Sequence, residues 1–173
     1  MGHMVELAAE WREPAHRLLL RWGTYRARYL TGLALLFLGG ILVQFTSTYS
    51  LLVLPLGLAA TITGWCILPG IGWRRVLAAV IGAFATVLLL NGAPATLFLV
   101  APLAVWLLLR ERPVLSYSVL LIPIVTALFL TQFFPDYGWG VLVLTIAGAT
   151  LVGSAWLARS LAAMSGGSSV NPR

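Results

Sequence analysis

The chain has 173 residues, 60% of them hydrophobic and only 9% charged, with a formal charge of +6. A soluble domain carries roughly 25% charged residues, so this composition cannot clothe a water-facing surface. All eleven cationic side chains are Arg and none is Lys, which excludes lysine Schiff-base chemistry. They flank the apolar runs, so the charge points to a membrane surface rather than to nucleic acid.

Met1-Gly2-His3 reads as an expression remnant ahead of a native start at Met4, leaving His16 as the one native imidazole. Residues 4–28 form an amphipathic cytoplasmic segment. Glu6, Glu10 and Glu13 share a solvated face and interrupt any signal-peptide core. Pro14 starts a helix that carries on toward the first span. In it Leu18, Trp22, Tyr25 and Tyr29 make one face, with Arg17, Arg21, Thr24 and Arg28 beside it, as an interfacial helix requires. Arg17, Arg21, Arg26 and Arg28, with Arg74 and Arg75 further on, are the expected contacts of anionic lipid headgroups.

Residues 29–159 hold six apolar runs, at about 29–46, 50–68, 76–90, 95–109, 114–134 and 141–158, near the length that one helical crossing needs. None alternates with period two, which argues against a β-barrel. The connections are short, so the fold class is all-α: a polytopic bundle of six transmembrane spans in three hairpins. Arg occurs on alternate connections only, at 74 and 75, at 110 and 112, and before the first and after the last span. That alternation places both termini in the cytoplasm, in the plasma (inner) membrane of a bacterium. Residues 76–109 give two spans and their turn less chain than is comfortable, so they form either two short helices or a re-entrant pair.

Ala60 with Gly64, Ala78 with Gly82 and Thr86, and Ala149 with Gly153 form stripes of small residues suited to close helix contacts. Pro102 and Pro123 should kink their helices. Residues 160–173 read as a flexible cytoplasmic tail.

No ionisable residue lies deep within any run, which argues against proton relays and ion pathways. Cys66 stands alone and excludes an intrachain disulfide or thiolate cage. His16 lies outside the spans, which removes the base for a serine nucleophile. No catalytic, metal or cofactor site is expected. What remains is polar and mostly uncharged: Gln44, Asn91 and Gln132 end alternate spans, with Asp136, Tyr137 and Trp139 close by. These six are the candidate ligand-binding residues, at the outer face. The outline of six short-looped spans resembles that of the substrate-capture subunits of modular vitamin importers, and no residue motif carries their sites over.

Two functions fit. One is a non-enzymatic accessory, scaffold or assembly subunit, acting through helix contacts with a protein partner or a second copy and through its Arg-rich face. The other is a binding or transport protein for a small neutral or lipidic ligand. In both, the bilayer and its anionic headgroups are partners.

Overall fold

The computed structural model describes residues 23–46, 49–134 and 137–166, and among them every regular element is helical. In chain order these are α1 (Tyr25–Gln44), α2 (Val53–Ile67), α3 (Gly72–Leu88), α4 (Val100–Leu109), α5 (Leu121–Phe133) and α6 (Gly140–Gly166). A 3₁₀ turn extends α3 to Asn91, and 3₁₀ segments Ala93–Leu99 and Val114–Leu120 lead into α4 and α5. Four of these stretches, Tyr25–Gln44, Gly72–Asn91, Val114–Phe133 and Gly140–Met164, are long and apolar enough to cross a membrane; Val53–Ile67 and Ala93–Leu109 are shorter.

Several boundaries differ from expectation. A helix continuous through residues 23 and 24 into the first span is expected, and the chain is not helical there. Gly23 takes a left-handed φ of +65°, and extended Thr24 caps α1, its Oγ1 accepting from the Ala27 amide at 3.2 Å. Tyr25 therefore opens α1, with Tyr29 one turn on; the stretch 4–22 lies outside the described residues. Trp73, Arg74 and Arg75, expected in a loop, form the first turn of α3. Residues 160–166, expected in a flexible tail, continue α6.

The two prolines act through a change of helix type. Pro102 and Pro123 each occupy the third position of an α-helix that follows a seven-residue 3₁₀ segment. Each proline removes the N–H that would bond a carbonyl of the preceding turn, and the turn it faces is wound as 3₁₀. The tighter segment upstream is longer than the usual three or four residues. It also rises faster, about 2.0 Å per residue against about 1.5 Å, so Ala93–Leu109 reaches roughly 29 Å, close to a hydrocarbon core.

Small residues lie inside and large ones outside. Alanine is the commonest buried apolar residue, while Phe37, Phe84, Val125, Phe129 and Trp156 are exposed. Lipid removes the hydrophobic penalty on that exterior, and packing then favours residues that let backbones approach. α1 and α2 show this most closely. A Cβ built on Gly39 would lie 2.6 Å from the Gly57 carbonyl oxygen and 2.3 Å from Thr61 Oγ1, and one on Gly64 2.9 Å from the Gly32 oxygen. The stripe of Ala78 and Gly82 is buried, with the Trp65 indole over Gly82. Ala149 and Gly153, by contrast, face outward.

Helices neighbouring in sequence pack together from α1 to α4, and α6 packs on α5 and on the 3₁₀ segments before α4 and α5. Ser116, buried, donates to the Ala158 carbonyl at 3.1 Å and ties the Val114–Leu120 segment to α6. Gly39→Ala should destabilise the chain by about 1–3 kcal/mol, the usual range for overpacking. Gly40→Ala, whose Cβ meets nothing within 4 Å, should be close to neutral. Denaturant unfolding in detergent micelles, followed by Trp fluorescence, measures both.

Candidate functional site

Two regions at opposite ends of the helices gather the polar side chains. At the first, Arg side chains meet helix C-termini. The last carbonyls of an α-helix lack intrahelical donors and carry its partial negative charge. Arg28, itself only 5% exposed, donates from Nε to the Ile67 oxygen at 3.0 Å, and Arg75 donates to the Cys66 oxygen at 3.1 Å. Both thus cap α2. Arg74 donates to the Leu108 oxygen at 3.1 Å and pairs with Glu111 at 2.9 Å, at the end of α4.

That end of α4 is a Schellman turn: the Arg112 amide donates to Leu107 and the Glu111 amide to Leu108, both at 3.1 Å. Glu111 occupies the left-handed position usually given to glycine, with φ +53°. Its pairing with Arg74 offsets part of that cost. Glu111 is the one carboxylate side chain among the described residues, so positive charge dominates here.

Beside it, Arg110 is buried in an aromatic box. Its guanidinium carbon lies 4.3 Å from the Tyr29 ring centroid, 4.9 Å from Trp106 and 5.9 Å from Tyr25, and it donates to the Tyr25 hydroxyl. Tyr25 and Tyr29 stack, and Trp106 packs edge-on against Trp65. A buried cation needs such compensation. In sequence Arg110 reads as part of a connection; the aromatics of its box stand four, eighty-one and eighty-five residues away and give no local signal.

At the opposite end, a cavity of about 380 Å³ lies between the end of α1, the end of α3 with its 3₁₀ turn, the Ala93–Leu99 segment and the start of α6. Gln44, Thr46, Asn91 and Thr96 supply its polar side chains; Leu89, Leu90, Val143 and Leu144 supply apolar wall. Gly92, with φ +83°, turns the chain tightly at the rim. Asn91 donates to the Leu88 oxygen at 2.9 Å and Thr96 to the Ala93 oxygen at 2.7 Å. Gln44 Nε2 is enclosed without an acceptor.

Of the six candidate ligand-binding residues, Gln44 and Asn91 come together here. Gln132 is exposed on α5 and does not line the cavity. Trp139 is half exposed, edge-on to Phe134 with centroids 5.8 Å apart. Tyr137 begins a short 3₁₀ turn, and Asp136 lies outside the described residues. Among the six expected headgroup contacts, Arg26 is exposed. Arg28, Arg74 and Arg75 bond protein carbonyls, and Arg17 and Arg21 lie outside the described residues. No group of three or more metal-ligating side chains occurs among the described residues.

Compared with protein-family models, with curated proteins and with solved structures, the chain matches none.

Arg110→Met keeps much of the side-chain volume but removes the cation from its box and the donor from Tyr25. A loss of about 1–3 kcal/mol is expected from these terms together. Tyr25→Phe, which keeps the ring, should lose less. The thermal midpoint in detergent, followed by Trp fluorescence, ranks the two.

Proposed function

We propose that the chain is a non-enzymatic, six-span protein of the cytoplasmic membrane that binds a small neutral or lipidic ligand in the cavity between the ends of α1 and α3, the Ala93–Leu99 segment and the start of α6. The observation that carries this reading is the meeting of Gln44 and Asn91, two amides from different helices, in one cavity whose wall encloses an unpartnered Gln44 nitrogen. Such cavities combine apolar walls with a few converging polar groups.

Four stretches have the length for a crossing, and six crossings in three hairpins require that the two shorter ones cross as well. Ala93–Leu109 gains reach from its 3₁₀ segment, which favours a full crossing over a re-entrant one. α2, at 15 residues, spans roughly 22 Å and would call for local thinning of the bilayer. The Arg-bearing end is read as cytoplasmic by the positive-inside rule, which puts both termini there and the cavity on the outer side.

A second reading, an accessory or assembly subunit, is favoured by the outward-facing Ala149 and Gly153 on α6, a stripe suited to a partner helix. Native mass spectrometry of protein released gently from its source membrane separates the two. A discrete bound mass of small-molecule size is expected, weakened by Gln44→Leu and retained in Gln132→Leu. A second polypeptide at fixed stoichiometry, with the cavity variants silent, would establish the subunit reading instead.

A further inference from the structure

We infer that the cavity takes an uncharged amphiphile of the outer leaflet, held by a hydrogen bond from the Gln44 amide to an ester or ketone carbonyl and admitted sideways between α1 and α6. The inference rests on the ligand-binding reading above and deepens it. Its first basis is charge. Among the described residues no ionised side chain lines the cavity, and the basic groups described above gather at the other end of the helices. A charged ligand would lose its hydration there and meet no counter-charge.

The second basis is the sense of the hydrogen bonds. The buried Thr96 hydroxyl spends its proton on the Ala93 carbonyl at 2.7 Å, so toward the cavity it offers only lone pairs. The enclosed Gln44 Nε2 is the donor with no acceptor. Its terminal torsion is soft, and rotation swings the amide into the space that the side chain lines. A ligand carbonyl there would remove the cost of an unsatisfied buried donor.

The third basis is access. α1 packs chiefly on α2, while α6 packs on α5 and the 3₁₀ segments, and the two make no substantial contact with each other. The cavity lies between their ends, and of the apolar residues on its wall Leu90 is exposed and Leu144 half-buried, which leaves an apolar edge open to the surroundings. An opening of that kind suits a molecule with an acyl or isoprenoid chain better than a fully polar solute.

The test uses the full chain in nanodiscs of dioleoylphosphatidylcholine, titrated with 1,2-dioctanoylglycerol and separately with dioctanoylphosphatidylglycerol, which has the same chains under an anionic head. Native mass spectrometry should show a saturable one-to-one adduct with the neutral diester, favoured at least about tenfold over the anionic lipid. Gln44→Leu should weaken it roughly tenfold, the effect of about one hydrogen bond. Leu144→Trp, which fills the cavity from α6 and leaves residue 44 unchanged, should abolish it and keeps the test decisive if Gln44→Leu folds poorly. Equal or stronger binding of the anionic lipid overturns the inference. So does a diester adduct indifferent to both variants. If the diester fails while a discrete mass from the source membrane persists and depends on Gln44, the cavity remains a binding site for another class of ligand and the inference alone falls. If neither binds, both fall.

Discussion

An α-helix ends in four carbonyls without partners in the helix, and an apolar phase supplies no water to take them. In this chain that need is met by guanidinium groups reaching across from neighbouring helices. Arg28 of α1 and Arg75 of α3 converge on the last turn of α2, and Arg74 of α3 takes the end of α4. These bonds do more than satisfy acceptors: they fix how far each helix slides along its neighbour. With their first turns pinned to the same end of α2, α1 and α3 rise together, and their far ends finish at one level. Gln44 follows Arg28 by sixteen residues and Asn91 follows Arg75 by sixteen. The cavity at one end is thus a consequence of the capping at the other.

Sideways packing comes from a different source. Where lipid surrounds the bundle, burying a bulky apolar side chain gains little, and close backbone approach gains more. Gly32, Gly39, Gly57 and Gly64 bring α1 onto α2 in this way, and Gly82 accepts Trp65 from α2 onto α3. Trp65 then leans on Trp106, and Trp106 on the Arg110 box that reaches back to Tyr25 and Tyr29. One chain of contacts so links the opening turn of α1 to the closing turn of α4. α6 is joined through Ser116 and Ala158, two fully buried small residues.

The six apolar runs were legible because their length and composition need no knowledge of neighbours. The meeting of Gln44 and Asn91 was legible in part from their equal distance to an Arg; Gln132 stands twenty residues from Arg112 and falls outside the cavity. Helix ends were less legible. An Arg beside an apolar run looks like loop until the carbonyl it caps is known, and that carbonyl belongs to another helix. The 3₁₀ segments were hidden for a related reason: a proline announces a missing hydrogen bond but does not say that the chain tightens upstream of it. The Arg110 box was invisible, since nothing in sequence links residue 110 to residue 25.

The two ends of the bundle therefore differ in how completely their polar groups are served. Arg74 Nε and Arg75 Nε also lack acceptors, but each belongs to a guanidinium already bonded through another nitrogen, so the cation as a whole is held. Ser154 Oγ is a single hydroxyl on α6 and does not line the cavity. Among the described residues, Gln44 is the case where an enclosed amide donor, adjoining space and an uncharged lining coincide. A leucine at that position would fill the same wall with no unsatisfied donor. Stability alone gives no reason for an amide there; under the binding reading we propose, a ligand carbonyl supplies one.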